Sequence, residues 1–98
     1  MKQHNYFVYI ISNPGKTVLY TGVTNELKVR LQQHKENRGK PETFAGRYYC
    51  YKLLYYERHT HVQHAIEREK EVKLMSREEK ETLIKSINPK KLFLKIVD

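Results

Sequence analysis

The chain has 98 residues, with 19 lysines and arginines against 11 aspartates and glutamates and a formal charge of +8. This length fits one domain, residues 1–98, with a modest core, and the lone Cys50 excludes an intramolecular disulfide and a zinc ribbon. No apolar stretch reaches the length of a membrane span and the N-terminus carries no signal-peptide pattern, so a soluble cytoplasmic protein with no membrane contact is expected. The surplus of positive charge points to a polyanionic partner, foremost nucleic acid. A solvated basic surface with no partner is the plainer alternative.

Two short apolar runs open the chain, Phe7-Val8-Tyr9-Ile10-Ile11 and Val18-Leu19-Tyr20-Thr21-Gly22. The turn-formers Ser12-Asn13-Pro14-Gly15-Lys16 lie between them, which predicts a β-hairpin. Thr24 or Asn25 can cap a helix running to about Lys35. Leu27, Leu31 and His34 share one face of that helix, with Arg30 on its edge. Residues 36–47 are polar and contain Gly39, Pro41 and Gly46, a loop made basic by Lys35, Arg38, Lys40 and Arg47. Tyr48 to Tyr56 predicts a third strand, rich in tyrosine and leucine. Thr60 with Gln63 offers a capping box for a helix to about Leu74, and Ser76 with Glu79 offers the same for a helix ending near Ile87. The apolar tail, Leu92 to Val97, is expected to pack back as a strand or to lie over the core. The sum is an α/β (α+β) domain with a small three-stranded, largely antiparallel sheet flanked by helices, in the order β-β-α-β-α-α.

Several side chains could carry chemistry. Val62, Ala65, Ile66 and Val72 form the apolar stripe of the helix over 60–74, and Glu69 lies at the centre of that stripe, while Glu67 and Glu71 fall on the polar side. A carboxylate on a buried face needs a partner or a metal, and an ion pair with Arg30 would serve as well. Arg30 and His34 are one turn apart, and arginine's planar fork suits a phosphate. Tyr9 and Tyr20 can sit on adjacent strands, but a phenol with a pKa of ~10 is a poor base unless positive charge lowers it. Both rings could equally be packing groups. Gly22 lets the backbone approach a ligand. His59, His61 and His64 lack the partners of a metal set and are expected at the surface.

The order and spacing of Phe7-Val8-Tyr9, Tyr20-Thr21-Gly22, Arg30, His34, Glu69 and Asn88 resemble the GIY-YIG nucleases over some eighty residues. The stretch Ala65-Ile66-Glu67-Arg68-Glu69-Lys70, followed by Asn88-Pro89, resembles the small stand-alone branch of that family, long likened to the nuclease half of a bacterial excision-repair enzyme. The resemblance implies an endonuclease acting on nucleic acid, DNA being the expected substrate and DNA repair the expected setting. It implies Tyr9, Tyr20, Arg30, His34 and Glu69 as catalytic residues and a single divalent ion, Mg²⁺ or Mn²⁺, held by Glu69 and waters. Lys35, Arg38, Lys40, Arg47 and Asn88 are then the expected nucleic-acid contacts. Val23 stands where the repair enzymes carry a lysine, so the general base remains open between Tyr9 and Tyr20. Phe7-Val8 replaces Gly-Ile in the first motif, Thr21 replaces Ile in the second, and Lys90-Lys91 follow the Asn-Pro pair where the branch often has tryptophan. A non-catalytic nucleic-acid-binding module with the same fold is the alternative.

Overall fold

A computed structural model describes residues 4–96. In chain order the elements are β1 (Tyr6–Ser12), β2 (Leu19–Thr24), α1 (Leu27–Glu36), α2 (Phe44–Arg47), β3 (Lys52–His59), α3 (Val62–Lys73) and α4 (Arg77–Ile87). The fold is α+β. Three strands form one antiparallel sheet in the order β2-β1-β3.

The central strand explains the first apolar run. With both edges of β1 paired, its alternate side chains enter two different cores. Val8 and Ile10 join Leu54, Ala65, Val72 and Ile84, the core beneath α3 and α4. Tyr9 and Ile11 join Leu27, Ala45, Cys50 and Leu53 on the opposite face, covered by α1 and α2. The β1–β2 turn is closed by Asn13, whose side-chain oxygen accepts from the backbone N–H groups of Thr17 at 2.9 Å and Val18 at 3.0 Å.

The expected boundaries shift where tertiary contacts overrule local signals. Ser76 and Glu79 do form a reciprocal capping box at α4. Thr60 and Gln63 do not, because β3 continues to His59, opposite Tyr6, and His61 becomes the N-cap of α3 without a side-chain bond. Thr24 caps the turn before α1 and not the helix itself, accepting from Glu26 N–H at 3.0 Å; Glu26 is the N-cap. β3 begins at Lys52 and not Tyr48, since Tyr49 turns the chain with φ 59°.

The loop over 36–47 contains the short helix α2. Thr43 caps it by accepting from Gly46 N–H, and Gly39 N–H donates to Gly46 carbonyl at 2.7 Å. A Cβ on Gly46 would lie 2.8 Å from the Asn37 carbonyl oxygen and press on that of Lys40, so only glycine lets the loop close this tightly.

A bulge sits at the centre of the sheet. Ile10 pairs with Tyr55 and Ile11 with Leu53, which leaves Leu54 as the extra residue. Its carbonyl accepts from Asn88 Nδ2 at 2.9 Å. The tail is not a strand, yet Leu94 N–H donates to the Leu53 carbonyl at 2.8 Å, and Leu94 and Ile96 pack on the core under α1. Val97, the last residue of the expected tail segment, lies outside the described residues. Among the described residues no helix is long and apolar enough to cross a membrane.

Candidate active site

The strand register puts Tyr9 opposite Gly22 and Ile11 opposite Tyr20. Directly paired residues share a face, so Tyr9, Tyr20 and Gly22 all lie on the α1 side of the sheet. Gly22 leaves the room that the Tyr9 ring occupies. A Cβ there would stand 2.5 Å from Tyr9 Cζ and closer still to the hydroxyl oxygen. The second motif thus needs its glycine because the first motif's phenol lies across it.

His34, on α1, reaches the same point from above. Its Nε2 is 2.8 Å from the Tyr9 hydroxyl, and both residues are buried. The Tyr20 ring completes a triangle, with its centroid 6.5 Å from Tyr9 and 5.4 Å from His34. Arg30 stands one turn before His34, half-buried, and donates to Gln33 Oε1 at 3.0 Å.

Burial and charge set the protonation states. Burial, with help from Tyr20, pushes the Tyr9 phenol from 10.0 up to about 12, against the opposing pull of Arg30. Burial, and then the Arg30 charge, pushes His34 from 6.5 down to about 4. Both groups are therefore neutral at pH 7. With the unprotonated ring nitrogen at Nε2, the phenol donates and the imidazole accepts.

Glu69 acts on the same phenol from α3, its charge adding to the rise in the Tyr9 pKa. Its side chain is 15% exposed, between buried Ala65 and Val72. Its ion-pair partner is Lys73, 3.0 Å away and one turn on, and not Arg30. The apolar stripe is shorter than expected, because Val62 is exposed; Glu67 and Glu71 face solvent as expected. Among the described residues no group of three or more His, Cys, Asp and Glu side chains could together hold a metal. A divalent ion would have to rest on one carboxylate and water, which suits Mg²⁺. Glu69 fits that demand, being semi-exposed and paired with a lysine that is itself exposed.

Lys35, Arg38, Lys40 and Arg47 are all exposed. Three of them also hold the loop: Arg38 donates to the Lys35 carbonyl at 2.6 Å, Lys40 to Asn37 Oδ1 at 3.3 Å, and Arg47 to the Pro41 carbonyl at 3.1 Å. Asn88 departs from its expected place at the nucleic acid. It is buried, Nδ2 donates to the carbonyls of Leu54 and Leu92, and Oδ1 accepts from Leu92 N–H. Its hydrogen-bonding capacity goes to the bulge and the start of the tail.

His61 and His64 are exposed, with ring centroids 5.1 Å apart. His59 is half-buried, its Nε2 lying 3.0 Å from Glu57 Oε1. Glu57 gathers Tyr55, His59 and Arg68 around it; burial would raise its carboxyl, but hydrogen bonds from those three hold it below the usual range. This network escaped the sequence reading because its members are spread over β3 and α3. Also unforeseen is a pair of exposed rings on the basic loop, Phe44 and Tyr48, the first facing Tyr20. Their position within a polar segment is the one signal the sequence offered.

Residues 5–82 match the family described as GIY-YIG catalytic domain. A UPF0213 protein from Syntrophus aciditrophicus (strain SB) is 38% identical over 87 residues, covering 88% of this chain and 95% of that protein. A UPF0213 protein from Bacillus pumilus (strain SAFR-032) is 30% identical over 91 residues, covering 93% and 90%. Among solved structures, the solution NMR structure of a UPF0213 protein from Bacillus halodurans aligns with a TM-score of 0.55 at 29% identity, covering 88% of each chain.

Proposed function

The chain belongs to the GIY-YIG catalytic-domain family, and from that premise we propose that it is a metal-dependent endonuclease hydrolysing phosphodiester bonds in nucleic acid, DNA in the first instance. One observation carries the reading. A buried tyrosine–histidine pair, a second tyrosine, an arginine and one semi-exposed carboxylate all act on a single point, the Tyr9 hydroxyl. A packing role for the two tyrosines would not bring an arginine and a glutamate to act on one hydroxyl.

In this reading the Tyr9 hydroxyl orients the attacking water. A phenol held near pKa 12 is too weak an acid to stand ionised at neutral pH. Tyr9 therefore serves in its neutral form, its hydroxyl oxygen accepting from the water while its own hydrogen is donated to Nε2 of His34. Tyr20 holds a phosphate oxygen. Arg30 meets the charge that builds on the phosphorane-like transition state, where a fixed donor stabilises most. Glu69 would hold a single Mg²⁺ or Mn²⁺ through water-filled coordination, and such an ion supplies charge neutralisation at the phosphate and the leaving 3′ oxygen. The basic loop around Lys40 and Arg47 grips the backbone on either side.

The test is cleavage of labelled duplex, branched and single-stranded substrates with Mg²⁺ or Mn²⁺, with Glu69→Gln beside the parent. Glutamine keeps the shape and loses the charge, so cleavage should fall by about a hundredfold or more while binding is retained. Glu67→Gln, facing solvent, should cleave like the parent. Parental turnover by Glu69→Gln would remove the carboxylate from the mechanism. Tight binding with no cleavage of any substrate would favour the non-catalytic binding module.

A further inference from the structure

α2 and its C-cap residue expose two large rings that the hydrolytic reading leaves idle. Phe44 is 51% and Tyr48 43% exposed. The Phe44 ring lies 6.3 Å from that of Tyr20 at an interplanar angle of 25°, and Tyr48 stands 4.7 Å further along. Together with the Tyr9–His34 pair they make a continuous file of rings, running from the buried hydroxyl out to solvent.

Packing does not account for these rings. Ala45 and Gly46, two of the three residues between them, supply the buried face of α2. The platform is also fixed in place by the Thr43 cap, by the Gly39–Gly46 bond and by the close seat of Gly46. A rigid, half-exposed aromatic surface loses little entropy when a flat ligand covers it.

Charge selects the ligand. The segment 35–49 carries four cations, Lys35, Arg38, Lys40 and Arg47, against Glu36 and Glu42. Cations beside exposed rings suit a base attached to a phosphate backbone and disfavour an apolar or basic peptide. We propose that Phe44 and Tyr48 form a stacking shelf for an unpaired nucleobase next to the phosphate seated at Tyr20. The substrate class is then nucleic acid with a single-stranded or splayed segment at the cut, since a base locked in a duplex cannot present its face to the shelf. This inference rests on the nuclease reading of the same site.

The experiment measures binding in metal-free buffer, so that no substrate is cut. Oligonucleotides carrying one 2-aminopurine are offered as a single strand and as a duplex of the same sequence. Stacking should quench the probe in the single strand, and the parent should prefer that strand. Phe44→Ala should lower the preference for single strand over duplex by about tenfold, the size of one base–aromatic stack, and abolish the quench. Phe44→Tyr should restore both. Phe44→Leu keeps an apolar contact with Tyr20 but cannot stack, and should behave like alanine, which separates stacking from loss of fold. An unchanged preference in a folded Phe44→Ala or Phe44→Leu protein overturns the shelf. Adding Mg²⁺ or Mn²⁺ to the parent separates the two readings. Quenching without cleavage removes the endonuclease and leaves the shelf, whereas cleavage without quenching removes the shelf alone.

Discussion

Burial holds both Tyr9 and His34 in their neutral forms, and for His34 that has a measurable cost at low pH. His34 titrates near 6.5 in an unfolded chain and at about 4 in the folded one. Between those values the unfolded chain binds a proton that the folded chain refuses, so stability rises with pH across the window. The His34 contribution is complete above pH 6.5 and is lost as pH falls towards 4. Urea midpoints followed from neutral pH downward should therefore fall more steeply in the parent than in His34→Gln, which keeps an acceptor for the phenol but does not titrate. Parallel curves would mean that the imidazole is not held neutral by its burial. Arg30 belongs to the same cluster and tests its geometry. Arg30→Lys keeps the charge but loses the planar fork, and cleavage should drop by about tenfold or more. A lysine variant with parental turnover would reduce Arg30 to general charge.

At the level of elements, the bulge in β3 decides what Asn88 does. Leu54 has no counterpart on β1, its carbonyl leaves the ladder, and the Asn88 amide replaces the missing donor. Asn88→Ala strands that buried carbonyl and frees the Leu92 backbone, which should cost about 1–3 kcal/mol in a denaturation experiment. If Asn88 worked instead on nucleic acid, its loss would appear in affinity and leave the unfolding midpoint in place. Much of the fold was legible: the Ser12–Lys16 turn cluster marked the hairpin, and Ser76 with Glu79 marked α4. The residues around Tyr9 were legible in part: a single helical turn aligned Arg30 with His34, the hairpin put Tyr9 and Tyr20 on adjacent strands, and the resemblance joined them to Glu69. What stayed hidden depends on contacts between distant segments. No local pattern announces α2, which exists because Gly46 can close on the carbonyls of Asn37 and Lys40. The pattern at Thr60 and Gln63 was sound in itself, but pairing with Tyr6 carried β3 up to His59 and left His61 as the N-cap of α3. The role of Asn88 was unreadable for the same reason, since a bulge leaves no mark on the sequence that forms it.

Across the whole molecule the charge of +8 on 98 residues sets the form of recognition. The four cations are exposed and stand at the end of α1, in the loop after it and at the end of α2, the two helices that cover the face of the sheet carrying Tyr9. Contacts of this kind read phosphates and not bases, so binding should tolerate sequence and depend steeply on salt. About three to five phosphate contacts would give a log–log slope of affinity against salt near −3 to −4.5 on duplex DNA, at about −0.9 per contact. Lys40→Ala with Arg47→Ala should flatten that slope by close to two contacts' worth and weaken binding to all sequences alike. Arg47 also ties the loop through the Pro41 carbonyl, so the thermal midpoint of the double variant has to be measured beside its affinity. A slope unchanged in a folded double variant would move the phosphate track off this loop. Affinity in metal-free buffer that ignored salt altogether would break the link between the charge and nucleic acid, and the surplus lysines would then be a solvated surface serving a different partner.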